Sequence, residues 1–156
     1  MDRTHFLELR IPPPVVFLFC AAFIWLLSIA TPWASFEFPA RNSIALAVAA
    51  VGSLFAGASV FSILFAGTTL SPEKPGGTTK LVVTGVYGIS RNPMYLSLLL
   101  FLISLAIYLG NLAAAIPVPF FVIYINRFQI KPEERALASR FGSEFEAYSR
   151  HVRRWL

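Results

Sequence analysis

Two clusters of polar residues in an otherwise apolar chain are the features that could carry chemistry. The first lies in the stretch GVYGISRNPMYLS and contains Tyr87, Arg91, Asn92 and Tyr95. The second contains Asn126, Arg127, Gln129, Glu133 and Glu134. Anchoring of a helix at a membrane surface calls for Trp, Tyr, Lys and Arg, but not for an Asn-Pro pair or a Glu pair. The clusters therefore predict a polar ligand site, with interfacial anchoring as the alternative.

A helix that begins at Pro93 would add unpaired backbone N–H groups to the first cluster. Such groups favour carboxylates and phosphates, so a charged cofactor would fit there. Arg127, at the membrane end of the last predicted span, is the candidate for orienting an anionic or phosphate-bearing acceptor. Its alternative role is an anchor whose guanidinium extends to the lipid headgroups.

Composition places the chain in the membrane. Of its 156 residues, 56% are hydrophobic and 13% are charged, whereas soluble domains carry about 25% charged residues. The single cysteine, Cys20, excludes an intrachain disulfide and a zinc cluster of the CxxC kind. The two histidines, His5 and His151, lie near opposite ends without metal-ligand spacing, so no metal site is expected. The absence of a GxGxxG fingerprint gives no support to a soluble Rossmann-type domain.

Four apolar segments must position the polar clusters. Spans are predicted at about 14–33, 43–67, 93–109 and 112–126, because roughly 20 apolar residues cross a bilayer. The charge-free run from 92 to 126 is too long for one span, and Gly110 with Asn111 divides it into a helical hairpin, which brings the two clusters to the same end. Small residues such as Gly52 and Ala56 predict that the second helix packs closely inside the bundle.

The end of the chain changes character after Lys131. Pro132 followed by two glutamates favours a helix start. Apolar residues then recur at helical spacing, at Leu137, Phe141, Phe145, Tyr148 and Val152. This pattern predicts one amphipathic helix at the membrane surface or against the bundle. The expected fold is an all-α polytopic membrane protein, a single domain over 1–156 with a cytosolic cofactor region at 68–92 and 127–156.

Basic residues are concentrated in alternate loops. Arg3 and Arg10 precede the first apolar run, Arg41 follows it, Lys74, Lys80 and Arg91 follow the second, and seven more lie beyond Tyr124. Because lysine and arginine set the orientation of membrane proteins, this predicts both termini on the cytoplasmic side of a bacterial inner membrane. A nucleic-acid partner is not expected, since the arginines flank membrane segments instead of forming one soluble face. A cleaved signal peptide is the alternative for the first span, but Asp2 and Glu8 lie in its leader.

Together, the stretch LVVTGVYGISRNPMYLS and the segment NRFQIKPEERALASRFGSEFEAYSRHVRRWL resemble the membrane methyltransferase superfamily of isoprenylcysteine carboxyl methyltransferases and phospholipid N-methyltransferases. Its pattern is G-P-Y, R-H/N-P-x-Y and a tail with E-E-x-x-L and F-G-x-x-Y, and the match covers about 81–156. The resemblance implies an S-adenosylmethionine pocket facing the cytosol. Residues implied to line it are Gly85, Tyr87, Arg91, Asn92, Pro93, Tyr95, Glu133 and Glu134. It further implies that the carboxylates serve the ribose hydroxyls and the sulfonium charge, and that Arg91 or the helix start serves the cofactor carboxylate.

Three departures from that pattern bear on the acceptor. Asn92 stands where the carboxyl methyltransferases have histidine, Val86 replaces the proline of G-P-Y, and Ser97 replaces a frequent glycine. Asn92 and Arg127 are the candidate catalytic residues. Methyl transfer is a displacement at an activated carbon, so the protein mainly positions donor and acceptor and excludes water.

The resemblance implies methyl transfer from S-adenosylmethionine to a lipophilic acceptor that enters from the bilayer. A phospholipid headgroup amine is the first expectation, and a carboxylate or thiol of an isoprenylcysteine-like or small-thiol acceptor is the alternative. A small multidrug-type transporter normally needs an ionisable residue within a span, and all eight acids lie outside the predicted spans. A non-catalytic membrane scaffold is the remaining alternative, and the oligomeric state stays open.

Overall fold

The computed structural model describes residue 6 and residues 8–66 and 80–156. Its helices are α1 (Pro13–Ala30), α2 (Arg41–Ala66), α3 (Pro93–Leu109), α4 (Pro117–Ile125), α5 (Lys131–Phe141) and α6 (Ser143–His151). Short 3₁₀ turns cover Pro32–Ala34, Gly85–Gly88 and Ala113–Ala115, and a π-helical segment covers Asn126–Ile130. Within the described ranges, extended pairing is limited to one bridge between Ser35 and Asn111. The predicted all-α fold is confirmed, and the predicted loop around Lys74 lies outside the described residues.

Three helical segments are long and apolar enough to cross a membrane: Pro13–Ala30, Arg41–Ala66 and Ala113–Phe141. Helix α3 is equally apolar but has 17 residues, so at about 1.5 Å per residue it is shorter than these. Large apolar side chains such as Phe19, Leu54 and Phe61 are exposed on the outer faces. Because exposed patches of this kind suit a lipid environment, the fold agrees with the predicted polytopic membrane protein.

Helix α3 packs against both α1 and α2. A Cβ atom added to Gly52 of α2 would lie 3.3 Å from Leu100 and Phe101 of α3, so a small residue is needed at this crossing. At one end of the contact between α2 and α3, the hydroxyl of the buried Ser104 donates a hydrogen bond to the Ala45 carbonyl at 2.7 Å. Helix α2 therefore packs closely against α3, as its small residues predict. Most of its remaining surface is exposed, so the expectation that α2 lies inside the bundle was wrong, because its small residues serve one neighbouring helix.

The turn between α3 and α4 lies at the end of the molecule remote from Pro93. Gly110 adopts the left-handed conformation with φ 58°, which glycine adopts without a Cβ penalty. The buried amide of Asn111 donates to the Thr31 carbonyl at 2.8 Å and accepts from the backbone N–H of Ala114 at 3.1 Å. The predicted hairpin is present, and Asn111 ties its turn to the end of α1.

The tail differs from the predicted single amphipathic helix. Helix α4 passes through the π segment directly into α5, so the helix does not end near residue 126. Gly142, with φ 49°, then separates α5 from α6. Because L-residues rarely adopt this conformation, the periodic apolar pattern is interrupted there and α6 takes a new direction. After His151 the chain folds back towards the start of α3.

Candidate functional site

A cavity of about 460 Å³ lies at the start of α3 and is also lined by residues of α5 and α6. Its polar part is lined by Tyr87, Arg91, Asn92, Tyr95, Glu133, Glu134 and Tyr148, with Pro93 beside them. Its apolar part extends between α2 and α3, where Ala56, Ile63, Leu98 and Phe101 form the walls. Binding pockets for small molecules have volumes of roughly 300–1,000 Å³. The cavity thus offers both a charged and an apolar surface to one or two ligands.

Arg91 and Glu134 form the ionic centre of the cavity. An Nη atom of Arg91 lies 2.8 Å from Glu134 Oε1, and these side chains are only 13% and 17% exposed. The other Nη atom donates to the Ser149 carbonyl at 3.0 Å. The Nε–H of Arg91 is buried and has no acceptor among the described residues. Arg91 therefore keeps one donor for an additional anionic or carbonyl group.

Residues 152–156 hold the first cluster in place. The backbone N–H of Arg91 donates to the Arg153 carbonyl at 2.9 Å, and the side-chain amide of Asn92 donates to the Arg154 carbonyl at 2.9 Å. Ser90 donates to that same carbonyl at 3.2 Å. Asn92, which lines the cavity, is therefore oriented by the tail.

Arg154 completes the ionic centre. Its Nε and Nη2 atoms contact both oxygens of Glu134, at 2.7 to 3.1 Å. The hydrogen bond to Glu134 raises the pKa of the Arg154 guanidinium, while burial acts in the other direction. Glu134 is thus held between two arginines, and its carboxylate is occupied by protein donors. Its geometry favours a role in positioning Arg91.

Two tyrosine hydroxyl groups donate hydrogen bonds within the polar part of the cavity. Tyr95 donates to Glu133 at 2.6 Å, and Tyr148 donates to the backbone carbonyl of Tyr87 at 2.6 Å. Burial raises the pKa of Tyr148 to about 12, although the charge of Arg91 opposes this shift. Burial, with smaller contributions from Tyr148 and Glu133, also raises the pKa of Tyr87. Both phenols stay protonated at neutral pH and can act as hydrogen-bond donors.

Gly85 shapes the segment that carries Tyr87. It has φ 63° and begins the 3₁₀ turn Gly85–Gly88. A Cβ atom at this position would lie 3.4 Å from the hydroxyl of Ser62. Gly85 is exposed and is not among the residues that line the cavity. Its observed contribution is the left-handed turn that directs Tyr87 inward.

The second sequence cluster is divided by the structure. Glu133 and Glu134 reach the cavity, whereas the side chains of the π segment point to other partners. Arg127 donates to Glu8 at 2.7 Å, Gln129 donates to the Ile11 carbonyl at 2.8 Å, and Asn126 accepts from the Trp155 indole at 3.1 Å. Glu8 also pairs with Arg135. Arg127 therefore lies beside the N-terminal segment and not at the cavity, and its predicted role with the acceptor stays a prediction.

Sequence reasoning missed several residues of the site. In the sequence, Tyr148 falls on a predicted apolar helix face, and Arg154 is counted only among the seven basic residues beyond Tyr124. Lys80, which lines the cavity beside Leu81 and Val82, had been counted only as a loop charge. The spacing of Tyr148 relative to Phe145 gave the one available signal, since both now face the cavity.

Comparison with known proteins identifies a family that this chain matches. The family model for phospholipid methyltransferases matches residues 40–144 of the chain. A protein of Haemophilus influenzae, described as uncharacterized, is 51% identical over 63 residues, which are 40% of this chain and 100% of that protein. No solved structure matches the chain significantly. The matched family residues include the first cluster, the two glutamates and the helices between them.

Proposed function

Since the chain belongs to the phospholipid methyltransferase family, we propose that it transfers a methyl group from S-adenosylmethionine to a lipophilic acceptor in the membrane. A phospholipid headgroup amine is the proposed acceptor. The observation that carries the proposal is a single cavity whose lining changes from charged residues at the start of α3 to apolar residues between α2 and α3. A charged cofactor and a lipid acceptor could meet in such a cavity.

The donor set of the polar part suits this cofactor. S-adenosylmethionine supplies an activated methyl group on a sulfonium centre. Glu133 offers a carboxylate for a cationic or hydroxyl group, and the buried Nε–H of Arg91 offers a donor to a carboxylate. The first turn of α3, which begins at Pro93, adds backbone N–H groups that favour anions. Tyr87 and Tyr95 contribute aromatic faces and hydroxyl groups to the same space.

The chain's own residues position the reactants and exclude water. Arg91 is fixed by Glu134 and the tail, and Asn92 is fixed by the Arg154 carbonyl at 2.9 Å. Asn92 can offer its side-chain oxygen to an amine but cannot remove a proton. Of the groups lining the described cavity, the carboxylate of Glu133 is the best candidate to receive a proton from an ammonium acceptor. Orientation and desolvation are therefore the main contributions proposed for the protein.

The acceptor assignment follows from the departures in sequence. Asn92 replaces the histidine of the carboxyl methyltransferases, and an abundant bilayer amine suits a compact enzyme. Carboxyl or thiol methylation of an isoprenylcysteine-like or small-thiol acceptor is the second candidate, which the apolar cleft between α2 and α3 would accommodate equally. Arg127, which pairs with Glu8, is kept only as a residue that could contact an acceptor headgroup outside the cavity.

We further propose that the polar part of the cavity faces the cytoplasm of a bacterial inner membrane. Among the basic residues of the described ranges, Arg41 lies at the remote end near Gly110, and the others lie at the end that carries the cavity or in the tail. Because loops rich in lysine and arginine stay on the cytoplasmic side, this orientation gives the cofactor access from the cytosol.

Calorimetric titration of the detergent-purified protein with S-adenosylhomocysteine tests the cofactor site. We expect saturable binding that is lost or weakened at least tenfold in Glu134→Ala and Asn92→Ala, a loss of about 1.4 kcal/mol or more. Glu37→Ala and Asn42→Ala, exposed residues at the remote end, are the matched controls and should bind as the parent does.

Methyl transfer is then measured with labelled donor and phosphatidylethanolamine vesicles, and with a prenylated cysteine in parallel. Product from the amine lipid supports the first acceptor, whereas product from the cysteine alone selects the second. A folded protein that binds no S-adenosylhomocysteine in detergent or in lipid nanodiscs would overturn the methyltransferase assignment and favour a membrane scaffold.

A further inference from the structure

Lys80 lines the cavity, but it has no role in the methyl transfer proposed above. It immediately precedes Leu81 and Val82, and all three line the cavity. Its side chain is exposed, and within residues 8–66 and 80–156 it forms no ion pair. A lysine ammonium on a flexible four-carbon stem can follow a mobile anion over several ångströms.

The charges that line the cavity separate into two groups. Glu134 is bonded to both Arg91 and Arg154, so the three side chains form an ion-paired centre in which Arg91 and Glu134 are mostly buried. Glu133 accepts a hydrogen bond from Tyr95 and supplies the negative group proposed for the cofactor. Among the described residues that line the cavity, Lys80 is the cation that forms no ion pair with a carboxylate. It is therefore available to an anionic group of the second ligand.

The apolar cleft indicates where that ligand lies. At Gly52 the helices α2 and α3 touch, since an added Cβ would lie 3.3 Å from Phe101. One turn further along α2, Ala56 lines the cavity, and Ile63, later in the same helix, lines it together with Lys80. Beyond Gly52 the two helices thus leave a cleft between them, and the outer face of α2 next to it carries exposed apolar side chains such as Leu64. A hydrocarbon chain fits this surface, and an anionic headgroup attached to it would lie near Lys80.

We propose that Lys80 binds the phosphate of a phospholipid whose acyl chain occupies the cleft between α2 and α3. This inference rests on the proposed methyltransferase function and narrows its acceptor to phosphate-bearing lipids. In an ethanolamine phospholipid, a short ethylene linker joins the phosphate to the amine, so a phosphate held at Lys80 limits how far the amine can move from the polar part. A carboxylate acceptor would have no such second anchor, because its one anionic group is the group that reacts.

Lipid binding to the purified protein tests Lys80 without requiring turnover. Binding of lysophosphatidylethanolamine is measured by native mass spectrometry and compared with a monoacylglycerol and a fatty acid of the same chain length. Lys80→Met should weaken lysophosphatidylethanolamine binding roughly five- to tenfold, the effect of one partly exposed charged hydrogen bond. Binding of the monoacylglycerol should be unchanged, and Lys80→Arg should restore the phospholipid. Lys131→Met, an exposed lysine that does not line the cavity, is the matched control.

S-adenosylhomocysteine titration of the same samples distinguishes failure of the role proposed for Lys80 from failure of the proposed methyltransferase function. Lys80→Met with unchanged cofactor binding and a selective loss of phospholipid supports the proposal. Equal losses for phospholipid and fatty acid would overturn it in favour of a general attraction of anions. Equal binding by glycerophosphoethanolamine, which lacks the acyl chain, would overturn the role of the cleft. Loss of cofactor binding in the parent protein would instead contradict the proposed function, whatever the result at Lys80.

Discussion

Replacement of Glu134 by glutamine is expected to destabilise the protein strongly, because this one carboxylate pairs with two arginines. Glu134 is 17% exposed and lies 2.8 Å from Arg91 and 2.7 Å from Arg154. Removing one partner of a buried ion pair costs about 3–5 kcal/mol. Arg154 is 40% exposed, so water can solvate it after the change, whereas Arg91 remains largely shielded.

We therefore expect Glu134→Gln to lower the free energy of unfolding by about 2–3 kcal/mol. Most of this loss comes from Arg91, which stays shielded and unpaired, because water can solvate Arg154. This corresponds to roughly a 30- to 140-fold change in the unfolding equilibrium. The measurement is titration with SDS in mixed micelles, followed by circular dichroism and without cofactor. The side chain keeps its size, so the loss reports charge and not a cavity.

Glu146→Gln is the matched control. Glu146 pairs with Arg150 at 3.8 Å, with both side chains more than half exposed, and exposed pairs contribute little to stability. We expect a change of about 0.5 kcal/mol or less. If Glu134→Gln were no more destabilising than Glu146→Gln, the ionic centre would not hold the site together, and the positioning role assigned to Glu134 would be wrong.

Three further predictions follow from single features of the fold. Tyr148, whose folded-state pKa of about 12 lies above the ordinary value of about 10, contributes stability that is fully present below pH 10 and is lost as the pH rises towards 12. Ultraviolet titration should show late-ionising phenols, because burial also raises the pKa of Tyr87, and Tyr148→Phe should remove one of them. Gly110→Ala should destabilise by about 2 kcal/mol or more, because the new Cβ would approach a backbone oxygen to 2.8 Å at positive φ, whereas Gly57→Ala, in open space within a helix, should be neutral or slightly stabilising in the same unfolding assay. Trp155→Phe should cost about 1 kcal/mol by removing the hydrogen bond to Asn126, and Asn126→Ala should then add almost nothing in a double-mutant cycle.

The bundle was largely predictable because bilayer spans leave strong local signals. An apolar run that is too long for one helix, with Gly110 and Asn111 in its middle, has few solutions other than a hairpin. The convergence of the first cluster with Glu133 and Glu134 followed from that hairpin alone. These inferences depend on length and hydrophobicity, which act independently of the packing partners.

The tail was less predictable because its order depends on distant contacts. The π segment has no local sequence signal, and its side chains bind Glu8, Ile11 and Trp155. Gly142 falls within a regular apolar pattern, where an isolated glycine lowers but does not abolish a helical expectation. Arg154 belongs to a basic run that gives no indication of a carboxylate 20 residues away. Each of these features is fixed by tertiary pairing.

The polar part of the cavity is built from residues far apart in the sequence, and this affects the order in which the protein folds. Each apolar helix satisfies its own backbone hydrogen bonds and can insert into lipid by itself. The contacts of the site instead join residues 43, 58 and 62 positions apart, so chain entropy must be overcome before any of them contributes. Folding should therefore proceed in two stages, with helices inserted first and the site formed last. A detergent preparation could keep its full helical circular dichroism and yet have lost the site, so helicity is an insufficient test of native protein.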